Sequence, residues 1–60
     1  MIDNTYISLD VLAIRLGLPL SFLREQVQRG TIPFLRINRW LRFDEAAVRV
    51  ALLRLQEAKQ

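Results

Sequence analysis

Three arginines, at positions 36, 39 and 42, punctuate the run Phe34-Leu-Arg-Ile-Asn-Arg-Trp-Leu-Arg-Phe43, and no acid stands among them. A guanidinium is permanently charged and presents a planar fork of donors that matches phosphate and carboxylate oxygens two at a time. Upstream, Ser21, Arg24, Glu25 and Gln28 fall close to the outward arc of one expected helix. Arg24 has the fork for guanine O6 and N7, and Gln28 that for adenine N6 and N7, each good bidentate pair being worth about 1–3 kcal/mol of discrimination. Ser21, near the helix start, fits a phosphate bound beside free backbone N–H groups. The chemistry within reach of this set is recognition of double-stranded DNA.

Each of these residues also has a plainer use. Arginines on short exposed strands discourage edge-to-edge aggregation, which accounts for one or two of the three but poorly for all of them. Arg24 and Gln28 can simply be solvated, and Glu25 is best explained by Arg29 at i+4 in the stabilising orientation. Trp40 can stack on a sugar or cover the core, and in so small a protein core packing is the expectation. Phe43 is expected to be buried.

Composition narrows the classes further. Sixty residues make at most one domain, and a domain of that length buries only about 60% of the surface its unfolded chain exposes. With no cysteine and no histidine, neither a disulfide nor a histidine-ligated zinc site can help, and the Ser-His-Asp and Cys-His arrangements are ruled out. Asp10, Asp44 and Glu45 are better explained as helix-start residues than as an acid/base pair. The two glycines form no phosphate loop. No catalytic step, cofactor or metal is expected. Apolar residues come in short runs broken by charge, well under the ~18 of a membrane-spanning helix. The opening MIDNTY does not read as a secretory signal, so a cytoplasmic protein is expected. Net charge is +3, but between Arg15 and Arg42 six arginines face only Glu25. Charge confined to one stretch can orient a polyanion on one face.

The elements that must position these groups follow from capping and periodicity. Ser8 is the expected N-cap of a helix over Leu9 to Leu16, with Asp10 in its first turn, Ile7 stapled to Leu12, and Gly17 as the exit. Pro19 opens a second helix running to Arg29, where Gly30 supplies a left-handed exit. On it Leu23 and Val27 face the core, together with either Leu20 or Phe22. Two short helices about a tight turn form a helix-turn-helix unit. Phe34–Ile37 and Trp40–Phe43 then pair as a hairpin around Asn38-Arg39. Arg39 is unusual as the second residue of a type I′ turn, leaving room for a wider loop. The pairing is expected to gather Arg36, Arg39 and Arg42 at or near a protruding tip, with Arg39 best placed for a minor groove. Asp44 caps a last helix, with Phe43 stapled to Val48. Its stripe of Ala47, Val48, Ala51, Leu52 and Leu55 faces the core, while Ala46, Val50 and Leu53 lie opposite as a candidate self-association face. The expected fold class is therefore α+β, mostly helical, in helix-helix-hairpin-helix order.

These residues carry a family likeness. Leu16-Gly17, Arg29-Gly30-Thr31-Ile32-Pro33, Arg36-Ile37-Asn38-Arg39, Trp40 and Arg42-Phe43-Asp44 resemble, in order and spacing, the excisionase-type domain of the MerR-like winged helix-turn-helix group, over roughly Tyr6 to Leu53. The resemblance implies that Ser21, Arg24 and Gln28 stand in a recognition helix entering the major groove. It also implies that Arg36, Asn38, Arg39 and Arg42 belong to a wing that meets the minor groove or flanking backbone. The sequence departs from the pattern at Pro19, where Ser or Thr is usual, at Leu20 and Ser21, where basic residues are frequent, and at Asn38, which replaces the wing glycine. Implied partners are duplex DNA, an integrase or recombinase or the transcription machinery, and further copies of the chain on DNA. The implied setting is a bacterial or phage-encoded cytoplasmic protein at the nucleoid. Sixty residues leave no room for the effector-binding domain of larger MerR-like proteins, so no small-molecule effector is expected. The likeness fits an excisionase that directs recombination by architecture, or a small transcription regulator. A third reading is a protein-interaction module that has lost DNA binding and uses Leu20 with Ala46, Val50 and Leu53.

Overall fold

Ser8 turns the chain from a two-residue strand, β1 (Tyr6–Ile7), into α1 (Leu9–Leu16). Its backbone is extended, and its Oγ accepts the Val11 N–H at 3.3 Å, satisfying a donor that has no partner inside the helix. These come from a computed structural model, which describes residues 6–58. The reading of MIDNTY as a non-secretory start falls mostly on residues 1–5, outside that range.

Both helix exits obey one rule. Gly17 sits at φ 68°, which lets its N–H reach the Ile14 carbonyl at 3.2 Å while the Leu18 N–H reaches Ala13 at 3.1 Å. This is the paired closure of a Schellman motif. α2 (Leu20–Arg29) ends the same way at Gly30, φ 73°, with the Thr31 N–H on the Gln26 carbonyl at 3.1 Å. Three residues, Gly17 to Pro19, therefore separate the two helices, and the helix-turn-helix unit forms where the sequence places it.

After Pro33 the chain runs out in β2 (Leu35–Ile37), returns in β3 (Trp40–Asp44) and enters α3 (Glu45–Ala58). β2 pairs antiparallel with β3, Ile37 opposite Trp40, so the connecting loop is the two residues Asn38-Arg39 and no wider. Asn38 takes φ 56°, whereas Arg39 is not at positive φ. A type I′ turn needs both, and this is how an arginine fits the second place. β1 adds to the other side of β3, giving the order β1-β3-β2. That third strand was not foreseen, because two residues carry no readable alternation.

The core draws on every segment: Leu12 and Ala13 of α1, Leu23 of α2, Ile32 before the hairpin, Phe43 of β3 and Val48 of α3. Of the two residues considered for the α2 core, Leu20 packs against this cluster and Phe22 stays exposed. Asp44 Oδ1 accepts the Ala46 N–H at 3.1 Å as α3 begins. Glu45 then ties α3 to α1 through Arg15, at 3.1 Å, while also holding Arg49, at 2.7 Å. Among the described residues no helix is long and apolar enough to cross a membrane.

Candidate nucleic-acid interface

On α2 the core takes Leu23 and Gln26 and leaves Ser21, Arg24, Glu25 and Gln28 exposed. Ser21, Arg24 and Gln28 follow one another at i, i+3 and i+7, so they share a face. Glu25 bonds Arg29 at 2.8 Å and neutralises it. Pro19 provides no side-chain cap, and the first turn contains no acid. Among the described residues no side chain caps the N–H groups at the start of α2, which lie beside Ser21 at the positive end of the helix dipole.

Gln26 is the polar residue that sequence reasoning missed. It is buried, and the Thr31 hydroxyl donates to its Oε1 at 2.6 Å, within reach also of its backbone carbonyl at 3.2 Å. The signal lay at the helix exit: the Schellman turn at Gly30 folds Thr31 back over the last turn of α2, where an amide can be satisfied without water.

The hairpin divides its arginines. Residues directly opposite in an antiparallel pair share a face, and alternate residues along a strand change face. Leu35 faces Arg42, Arg36 faces Leu41 and Ile37 faces Trp40. Arg36 consequently lies with Leu41 and the buried Phe43 on the side toward the helices, while Arg42 lies with Leu35, Ile37 and Trp40 on the outer side. The three arginines are expected at or near a protruding tip; the tip itself holds Asn38 and Arg39, and Arg36 and Arg42, a short way down the two strands, project from opposite faces. Trp40 also departs from expectation. It is 58% exposed, because its register partner Ile37 puts it on the outer face, where no helix packs. The Arg42 guanidinium lies 5.9 Å from the centroid of its ring and donates to the Leu41 carbonyl at 2.9 Å.

Ion pairing divides the cations. Arg15, Arg29 and Arg49 each hold a carboxylate. Among the described residues, Arg24, Arg36, Arg39, Arg42 and Arg54 hold none. Four of those five lie on α2 or the hairpin.

Apolar surface is exposed on α3 as well as on the hairpin. Val50 and Leu53 are exposed on α3, and Ala46 with them. A groove of about 350 Å³ opens between α2 and α3, lined by Leu18, Phe22, Gln26, Leu52 and Leu55 among others. Of the expected core stripe on α3, Val48 is fully buried, and Ala47, Ala51, Leu52 and Leu55 are half-buried.

Compared with known proteins, the chain matches no family model, no curated protein and no solved structure. The fold itself defines a class: a small α+β domain with helix-helix-hairpin-helix topology, compatible with a generic winged-helix-like fold.

Proposed function

We propose that this protein binds double-stranded DNA, without a catalytic step, through α2 and the hairpin. The observation that carries this reading is where the unpaired cations fall: Glu25 and Glu45 engage Arg15, Arg29 and Arg49, and of the five arginines without a carboxylate among the described residues, Arg24, Arg36, Arg39 and Arg42 lie on α2 or the hairpin and Arg54 alone on α3. In the proposed complex α2 enters the major groove, Arg24 and Gln28 read base edges, and Ser21 holds a phosphate at the helix start. The hairpin reaches the flanking backbone or minor groove with Arg39 at its tip and Arg36 on the helix side, and Asn38 shapes the turn. The likeness to excisionase-type domains supports a role as a recombination directionality or architectural factor working beside an integrase in the bacterial cytoplasm. The same interface would equally serve a small transcription regulator.

Selection of bound duplexes from a random pool, followed by footprinting, tests the proposal. A consensus site should emerge, and affinity for it should fall with salt at a slope of about −3 to −5 per monomer for three to five phosphate contacts. Binding by an Arg36→Ala, Arg39→Ala double variant equal to that of wild type would remove the hairpin from the interface. Cooperative occupation of adjacent sites with bending would favour the architectural role, and occupation of a single promoter site the regulator.

The exposed Ala46, Val50 and Leu53 face and the α2–α3 groove favour a second reading, a protein-interaction module. Salt-insensitive absence of DNA binding, together with a stable homodimer or heteromer in sedimentation, would select it.

A further inference from the structure

The sheet has two faces, and the helices cover one. Cross-strand partners Ile7 and Phe43 lie on the covered side, in or against the core. Tyr6 stands opposite Asp44, so by alternation it shares the outer face with Arg42, Trp40, Leu35 and Ile37. On that face Tyr6 is 52% exposed, Leu35 41%, Ile37 47% and Trp40 58%.

Three of these groups are planar and form a row. Trp40 and Arg42 are successive outer positions on β3, and Tyr6 flanks the next one, at Asp44. At about 3.4 Å per residue, neighbours in the row are offset by about 7 Å along the strand. The middle member is held in place, its guanidinium set against Trp40 and bonded to the Leu41 carbonyl. No carboxylate pairs with it among the described residues, and Asp44 is engaged at the start of α3.

We propose that this outer face binds single-stranded nucleic acid, with unpaired bases stacking on Trp40 and Tyr6 and Arg42 between them contributing a third plane and a phosphate contact. Charge and area favour that occupant. On this face Arg42, with Arg39 at the adjoining tip, holds no carboxylate among the described residues, while the one acid in the row, Asp44, is turned to the start of α3. Four apolar side chains, each exposed by about half, offer roughly 400 Å², which is about half of the ~800 Å² per partner of a stable protein interface but ample for a few bases. The inference goes beyond the duplex reading and does not rest on it, because the outer face is the side of the sheet away from the helices. A protein with both surfaces could hold a displaced strand next to the duplex it occupies.

Trp40 is the only tryptophan in the chain, so its fluorescence reports directly on the face. A short oligothymidylate should quench that emission to saturation. In anisotropy titrations with a labelled oligothymidylate, Trp40→Ala and Tyr6→Ala should each weaken binding by about tenfold, and Trp40→Phe should restore most of the loss. Neither alanine change should alter affinity for a selected duplex by more than about twofold, whereas Gln28→Ala should weaken the duplex alone. Circular dichroism of each variant separates lost stacking from lost folding. Saturating oligothymidylate without quenching would overturn the proposal. So would equal losses for single strand and duplex in Trp40→Ala, or a dimer in sedimentation that Trp40→Ala dissolves.

Discussion

Arg36 and Arg42 project from opposite faces of one hairpin, Arg36 beside Leu41 on the helix side and Arg42 beside Leu35 on the outer side. Two cations so placed cannot grip one stretch of duplex in the same way. Arg36→Ala should weaken duplex binding across all sequences and reduce the salt slope by about one. Arg42→Ala should cost the duplex distinctly less. Affinities measured at several salt concentrations check this, and equal slopes in the two variants would contradict it.

Phe43 is fully buried where β3, α1 and α3 converge, with Phe34 tilted against it at a centroid distance of 6.5 Å. Removing a buried phenylalanine side chain costs about 3–5 kcal/mol. Stability of roughly 0.05–0.15 kcal/mol per residue gives a domain of this length only about 3–9 kcal/mol in all. Phe43→Ala should therefore leave a large unfolded fraction at room temperature, read as lost helical circular dichroism, while Phe43→Leu should retain the fold with a lower midpoint in urea.

Thr31 and Gln26 test the buried polar pair at the exit of α2. Thr31→Val removes the hydroxyl donating to Gln26 Oε1 and leaves a carbonyl oxygen of a buried side chain without that donor, a cost of about 1–3 kcal/mol. Thr31→Ser should recover most of it. Urea midpoints of the two variants compared with wild type decide the matter.

Left-handed backbone is required at Asn38 and Gly30. A Cβ at Gly30 meets nothing within 4 Å, so Gly30→Ala should cost only the conformational penalty, about 1–2 kcal/mol. Asn38→Gly should be tolerated and Asn38→Val should destabilise, since a β-branched residue resists positive φ. Thermal midpoints would show it, a shift of about 4–8 °C per kcal/mol being expected for a domain this small.

Helix boundaries were legible in the sequence because their causes are local. Ser8, Gly17, Pro19, Gly30 and Asp44 act on backbone groups within a turn of themselves, so α1 and α2 begin and end where residue chemistry alone puts them. Burial of Leu12, Leu23, Phe43 and Val48 followed from periodicity and staple spacing in the same way. Register, by contrast, is a relation between strands. A shift of one residue would exchange every side chain between the two faces of the hairpin, and the run from Phe34 to Phe43 offers Asn38-Arg39 as the turn without excluding a wider loop. Only the closed fold, with Ile37 opposite Trp40 across a two-residue turn and Ile7 opposite Phe43, decided that Trp40 stands in solvent and that Arg36 and Arg42 part company. The pairing of Arg15 with Glu45 was decided there too, because the distance between residues remote in the chain is set by packing around a shared core and not by spacing along it.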